Sequence, residues 1–109
     1  MPKPDSLQGS LDLLVLKILS RRPRLHGYAI MSLIEGASSD TLRVEEGSLY
    51  PALHRMEQAN WIRPAWTVND TGRRVRVYQL TAAGRKRLAV EESRWRTVNS
   101  AVSRVLRIA

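Results

Sequence analysis

The 109-residue sequence contains no cysteine and only two histidines, His26 and His54. The lack of cysteine excludes disulfide bonds and thiolate metal sites, and the two histidines do not have a metal-ligand spacing. No apolar run approaches the roughly 18 residues that a membrane-spanning helix requires. The N-terminus also lacks the charged-then-apolar layout of a signal peptide. These absences predict a reducing, cytosolic location, with no membrane span, no metal and no cofactor.

Acidic residues are few relative to basic ones. Eighteen Lys and Arg stand against ten Asp and Glu, for a formal net charge of +8 and a sequence pI of about 11.0. Such a balance favours a polyanionic partner such as DNA, RNA or an anionic membrane surface. The length suits one small domain, and the 43% apolar content argues against intrinsic disorder.

Hydrophobic periodicity and turn residues predict the order of elements along the chain. That order is typical of an α+β, mainly α fold: a winged helix-turn-helix domain over 7–80, followed by a C-terminal dimerisation helix over 81–109. Two other α+β folds share the same order of elements, so the chemistry of the third helix and the hairpin has to decide between them. The predicted elements are a helix from an N-cap near Ser10 to Pro23, a helix over 26–36, a short strand over 42–44, a helix over 45–60, hairpin strands over 62–68 and 73–80 joined by the turn 69–72, and a helix capped by Thr81.

The third predicted helix separates an apolar face from a polar face on a helical wheel. Leu49, Ala52, Leu53, Met56 and the polar Asn60 fall on one side of the wheel, which is otherwise apolar. The opposite side has small residues at its N-terminal end and hydrogen-bond donors further along. A recognition helix needs this distribution, because its leading end approaches phosphates and base edges, and a proline in the first turn loses no helical hydrogen bond. We therefore expect DNA contacts from Ser48, Tyr50, Pro51, His54 and Arg55; the alternative is ordinary helix initiation with exposed polar side chains.

The predicted hairpin is rich in arginine just past its turn. Arg73, Arg74 and Arg76 lie there, and guanidinium groups suit phosphates and narrow minor grooves. These three arginines are expected to contact DNA as a wing; the alternative is a solvated edge strand protected by its charge. Trp66 and Tyr78 are expected to pair across the hairpin and pack it on the third helix.

The last predicted helix carries an apolar stripe with heptad spacing, interrupted at Glu92. Because the first helix is also apolar on more than one face, a second copy of the chain is expected to cover both. A twofold dimer would present two third helices to a roughly palindromic DNA site. The alternative is packing of the last helix within one chain. The residues expected at the dimer interface are Leu13, Leu16, Leu88, Trp95, Val98, Val102 and Val105.

Several motifs together resemble the PadR family of bacterial transcriptional regulators. They are the runs 8–14 (QGSLDLL), 26–28 (HGY) and 46–57 (EGSLYPALHRME), followed by Trp66, Tyr78 and the run 80–85 (LTAAGR). The resemblance covers about residues 7 to 90, and the Leu-Tyr-Pro-Ala-Leu block is its most specific part.

The resemblance implies a dimeric winged-helix repressor that binds double-stranded DNA and is released by a small molecule or another signal. The DNA-contacting positions of the family match Ser48, Tyr50, Pro51 and Arg55, together with the wing arginines. Some members bind a flat aromatic effector against a tryptophan on the last helix. Trp95 is the equivalent here, as a ligand contact or simply as a packing residue.

Three other classes of function remain as alternatives. A nonspecific architectural DNA- or RNA-binding winged helix would depend on net charge alone. A protein-interaction module would depend on the last helix. An enzyme is disfavoured, because no Ser, Cys or Asp lies at a helical spacing that would activate His54, and no glycine-rich loop suits a phosphate.

Overall fold

The computed structural model describes the backbone of residues 3–108 and the side chains of residues 10–108. Ala109, the last residue of the predicted dimerisation segment, lies outside this range. The α+β, mainly α winged-helix fold is confirmed. Its elements are α1 (Lys3–Arg21), β1 (Leu25–His26), α2 (Gly27–Ala37), α3 (Glu46–Gln58), β2 (Ile62–Val68), β3 (Arg74–Leu80) and α4 (Ala82–Leu106).

One predicted boundary and one predicted strand are wrong. α1 begins at Lys3 rather than near Ser10; Pro4 lies in its first turn, where N–H groups have no helical partner and proline is tolerated. The predicted strand over 42–44 is irregular backbone. Val44 is nevertheless buried, and its N–H donates to the Glu35 carboxylate at 2.9 Å instead of to a neighbouring strand.

The short third strand lies elsewhere, at the entrance to α2. β1 pairs antiparallel with β3, Leu25 opposite Tyr78 and His26 opposite Val77, so the sheet order is β1-β3-β2. This pairing fastens the first turn of α2 to the wing. The position of α2 relative to the wing therefore depends on a contact between distant parts of the sequence.

The β2–β3 hairpin and its turn agree with the prediction. The register begins with Ile62 opposite Leu80 and ends with Val68 opposite Arg74. In the turn, Oδ1 of Asn69 accepts hydrogen bonds from the backbone N–H groups of Thr71 and Arg73, at 3.1 and 3.0 Å. Gly72 adopts a φ of +83°, which glycine reaches without steric cost. The wing tip is thus a hydrogen-bonded turn.

α1 is the central helix of the core, because it packs against α2, α3, α4 and β3. Its apolar faces are therefore covered largely by its own chain. Leu16 and Leu88, predicted at a subunit interface, are both buried within the single chain, and this corrects their assignment. Leu13 is only partly buried. The buried core residues of the helices and sheet include Leu11, Val15, Leu16, Leu19, Ile30, Ile34, Leu49, Leu53, Met56, Ile62 and Tyr78.

α4 begins at a joint with the connection between α3 and β2. The hydroxyl of Thr81 accepts from the Gly84 N–H at 2.9 Å, which caps α4 as predicted, and lies 2.7 Å from the Asn60 carbonyl oxygen. From this joint α4 runs 25 residues, and the side chains from Ser93 to Ser100 are all exposed. None of the helices within residues 3–108 has the length and apolar character to cross a membrane.

Candidate nucleic-acid interface

The two faces of α3 are separated as the helical wheel predicts. Leu49, Ala52, Leu53 and Met56 are buried, and the side chain of Tyr50 is 43% exposed on the other side. The remaining outer residues are Gly47, Pro51, His54, Arg55 and Gln58, all exposed, with Ser48 half-buried beside them. Asn60 is not on the inner face: it lies beyond the helix, exposed, with a φ of +66°. Asparagine tolerates this left-handed conformation, which directs the chain into β2.

Pro51 lies in the second turn of α3, not in the first. Because α3 begins at Glu46, the nitrogen of Pro51 is where the carbonyl of Gly47 would find its helical N–H partner. Proline has no N–H, so a hydrogen bond is lost, contrary to the sequence argument. Gly47 and Pro51 are both exposed. The proline therefore costs α3 one backbone hydrogen bond on its exposed face.

The ring of Tyr50 lies against the first turn of α2. A Cβ built on Gly27 would lie 2.6 Å from Oη and 2.7 Å from Cε1 of Tyr50. The ring can occupy this position only because residue 27 is a glycine. Next to it, Nδ1 of His26 accepts from the Ala29 N–H at 3.2 Å and caps α2. Tyr50 and the first turn of α2 thus belong to one surface.

The wing arginines lie at the end of the hairpin that is distant from the core. Arg73, Arg74 and Arg76 are exposed, and Arg74 and Arg76 share the sheet face of Tyr78, as the strand parity predicts. Tyr78 itself is buried. Burial raises the pKa of its phenol, against a smaller opposing effect of the nearby Arg76 charge, so the ring is neutral at physiological pH.

Trp66 does not pair with Tyr78, which corrects the sequence analysis. Its cross-strand partner is Arg76, and 58% of its surface is exposed. The guanidinium carbon of Arg74 lies 4.7 Å from the centroid of the Trp66 ring, a cation–π contact. Trp66 therefore supports an arginine at the wing rather than packing the wing on α3.

A cleft of about 340 Å³ separates the wing from the first turns of α2 and α3. Aromatic rings and guanidinium groups converge there, among them Tyr28, Tyr50, Trp66, Arg74 and Arg76. Tyr50 is the α3 residue that lines the cleft, together with the wing arginines Arg74 and Arg76. His54 and Arg55 lie further along α3 and do not line the cleft.

Two of the predicted DNA-contacting arginines are paired with carboxylates from other elements. Arg55 Nη2 lies 2.6 Å from Oδ1 of Asp12 on α1, and Arg76 Nη2 lies 3.1 Å from Oε1 of Glu57 on α3. The acidic side chains are 20% and 15% exposed and the arginine side chains 54% and 45%. Both guanidinium groups therefore remain accessible on one side. Neither pairing is evident from the spacing of these residues in the sequence.

A second and larger concavity, of about 750 Å³, lies between α1, α4 and the segment that precedes α3. We refer to it as the α1–α4 groove. Leu13, Leu14, Leu42 and Trp95 give it apolar walls. Lys17 and Glu92 form an ion pair of 3.0 Å among its lining residues, which accounts for the acidic residue that interrupts the apolar stripe of α4.

Beyond the groove, the apolar stripe of α4 is exposed. Trp95 is 50% exposed, and Val98, Val102 and Val105 are similarly accessible. These four residues fall on one side of the helix. We call them the α4 stripe.

Comparison with known proteins identifies the family. The sequence profile of the Transcriptional regulator PadR-like family matches residues 15–90. The chain belongs to the PadR-like family. Members of this family are transcriptional regulators and not enzymes, so the chain is a DNA-binding regulator of transcription, as the resemblance in the sequence implies. Most of the winged helix-turn-helix and the first part of α4 lie within the match.

Solved structures and a sequence relative are similar to this chain over most of its length. A PadR-like transcriptional regulator from Bacillus cereus is similar with a TM-score of 0.82 and 26% identity, over 96% of this chain and 99% of that one. A transcriptional regulator from Clostridium thermocellum shares the fold, with a TM-score of 0.83 and 23% identity over 92% and 96% of the two chains. An uncharacterized protein of Lysinibacillus sphaericus is 26% identical over 103 residues, 94% of this chain and 93% of that protein.

Proposed function

We propose that this PadR-like regulator is a homodimeric repressor that binds a roughly palindromic operator. In this proposal residues 7–80 form the DNA-binding domain and residues 81–109 form the dimerisation segment. The observation that supports it most is the cleft in which Tyr50 of α3 and the wing arginines Arg74 and Arg76 lie together. With a net charge of +8, each chain is also attracted to DNA irrespective of sequence.

α3 is the element that we expect to enter the major groove. Its outer face is exposed, and its slim leading end, with Gly47 and Pro51, permits close approach of the backbone to the bases. Tyr50 and Arg55 are the proposed base contacts, because a phenol and a guanidinium can reach base edges from this face. Ser48 and His54 flank them and are proposed to contact phosphates or bases.

The wing is proposed to contact the DNA backbone or the adjacent minor groove. Arg73, Arg74 and Arg76 would supply positive charge to phosphates on the same side of the duplex as α3. The cation–π contact with Trp66 orders Arg74 before DNA binds. Less side-chain entropy is then lost on binding.

A second copy of the chain is the partner that fits the α4 stripe. Its four residues form an exposed apolar strip of the kind that marks an interaction surface, and their heptad spacing suits an antiparallel or parallel helix pair. A twofold axis beside α4 would place the two α3 helices on one side of the dimer. Half-sites about one helical turn apart would then form an inverted repeat.

Repression by such a dimer would be relieved by a ligand in the α1–α4 groove. The apolar walls and the half-exposed Trp95 ring suit a small aromatic effector. A cytosolic location accompanies this function.

In vitro selection of bound duplexes from a random DNA pool tests the proposed function. Enrichment of an inverted repeat, preferred at least about a thousandfold over random DNA at fixed salt, is expected for a specific dimer. Recovery of unrelated sequences with a steep salt dependence would instead identify a nonspecific architectural protein. A variant with Arg73, Arg74 and Arg76 replaced by alanine serves as the control for the wing.

A further inference from the structure

Asp12 is the carboxylate that contacts Arg55, the arginine on the outer face of α3. The two residues are 43 positions apart in the sequence, so α1 contributes directly to the proposed DNA-binding surface. We propose that Asp12 is a specificity-determining residue: it positions the Arg55 guanidinium for one base and weakens binding to all other DNA. This inference rests on the proposed sequence-specific function of α3.

The geometry leaves Arg55 free to bind a base while it remains paired. A guanidinium has five N–H donors in a planar fork, and the contact with Asp12 engages Nη2 at 2.6 Å. Other N–H groups of the fork are available, and 54% of the Arg55 side chain is exposed. The Asp12 carboxylate on one edge of the guanidinium therefore fixes the plane of the group, and with it the direction in which the opposite edge can bind a base.

Stability alone does not account for this pair. Ion pairs with a partner this exposed contribute little to folding, because water screens the charges and long side chains lose entropy. Asp12 has the opposite effect on DNA, since its negative charge opposes the approach of phosphates. The pair therefore fits a role in which Asp12 orients Arg55 toward a base, and the oriented contact compensates for the repulsion.

The second arginine–carboxylate pair follows the same arrangement. Glu57 on α3 holds Arg76 of the wing at 3.1 Å, so both acids lie behind guanidinium groups of the basic surface. In each pair the acid is the more buried member: the side chain of Asp12 is 20% exposed and that of Glu57 is 15% exposed. The acids are therefore fixed supports, while the arginines are the groups that DNA can reach.

The test compares Asp12→Asn with Asp40→Asn on two duplexes, the selected site and a scrambled one, at one salt concentration. Both substitutions remove one negative charge. Asp40 is exposed in the α2–α3 connection with a φ of +63°, which asparagine tolerates. Asp40→Asn is expected to strengthen binding to both duplexes equally. Asp12→Asn is expected to strengthen binding to the scrambled duplex but to lower the specificity ratio by about tenfold, the discrimination typical of one oriented arginine–base contact.

Two further variants separate orientation from charge and from folding. Asp12→Glu keeps the charge but displaces the carboxylate by one methylene, so the specificity ratio should also fall. In an Arg55→Ala background, Asp12→Asn should leave the ratio unchanged. The loss of base preference in Asp12→Asn should be confined to one base pair in each half-site, the same one at which Arg55→Ala loses its preference.

The possible outcomes are distinct. If Asp12→Asn and Asp40→Asn have the same specificity ratio, the proposed role of Asp12 is overturned. The proposed function would remain intact in that case, provided that the wild-type protein prefers the selected site. An increase in affinity for both duplexes by the same factor would identify Asp12 as a general electrostatic brake and would also overturn it. If the wild-type protein shows no site preference, the proposed function fails and the role of Asp12 fails with it.

Discussion

Replacement of Gly27 by alanine tests whether the position of the Tyr50 ring matters for DNA binding. The new Cβ would lie 2.6–2.8 Å from Oη, Cε1 and Cζ of Tyr50, whereas ordinary carbon contacts are about 3.5–4.0 Å. The ring must therefore move outward by about 1 Å. O–H···O hydrogen bonds tolerate donor–acceptor distances of only about 2.5–3.0 Å, so a displacement of this size removes any bond from Oη to DNA.

The expected loss of affinity equals that of Tyr50→Ala, about 1–3 kcal/mol on the specific site, or roughly five- to 150-fold. The free energy of unfolding should change by less than about 1 kcal/mol, because the atoms that move are the free end of a half-exposed ring and alanine is the better helix former. Binding and stability should therefore separate in this variant.

Fluorescence anisotropy with a labelled operator duplex at fixed salt measures the affinity, and thermal melting measures the stability. Gly36→Ala is the matched control: it lies in the same helix, and its added Cβ would have nothing within 4 Å. The double variant Gly27→Ala/Tyr50→Ala completes the comparison. If Gly27→Ala still lowers affinity in the Tyr50→Ala background, or leaves affinity unchanged in the wild type, the argument from the ring is refuted.

Two other predictions concern the joint at α4 and the α4 stripe. A Cβ at Gly84 would overlap the carbonyl oxygen of Trp61 and lie 2.7 Å from Cδ1 of Leu80. Because backbone must move, Gly84→Ala should lower the free energy of unfolding by about 2–3 kcal/mol, and an unchanged denaturant midpoint would contradict this. Trp95→Glu places a charge in the α4 stripe and should convert a dimer to a monomer in light scattering, with Glu91→Gln as a control on the same helix; a mass unaffected by Trp95→Glu would exclude the stripe from the interface.

Local sequence patterns predicted the elements whose structure is locally determined. β2 spans Ile62–Val68 as the alternation indicated, and the inner face of α3 is buried as its wheel indicated. Turn chemistry at 69–72 and the Thr81 cap were also predictable, because each involves residues within four positions of one another. These features need no knowledge of the rest of the chain.

The features that were missed depend on tertiary contacts. β1 has two residues, and it is a strand only because β3 lies beside it. Leu16 has the apolar character of an interface residue, but α1 is surrounded by its own chain. No local signal could show that Asp12 contacts Arg55, or that Trp66 stacks with Arg74 rather than with Tyr78. The candidate site was therefore predictable in its exposed residues and not in the residues that position them.

A single helix connects the two halves of the proposed mechanism. Asp12 on α1 contacts Arg55 of the DNA-binding surface, and the next residues, Leu13 and Leu14, line the α1–α4 groove. A ligand that shifts α1 slightly would lengthen the 2.6 Å contact between Asp12 and Arg55. The orientation of the Arg55 guanidinium would then change directly. If a ligand in this groove weakens binding of DNA, reciprocity in free energy requires that DNA weaken binding of that ligand by the same factor. Asp12 and Leu13 are neighbours in the sequence, so the proposed coupling would need no longer pathway through the core.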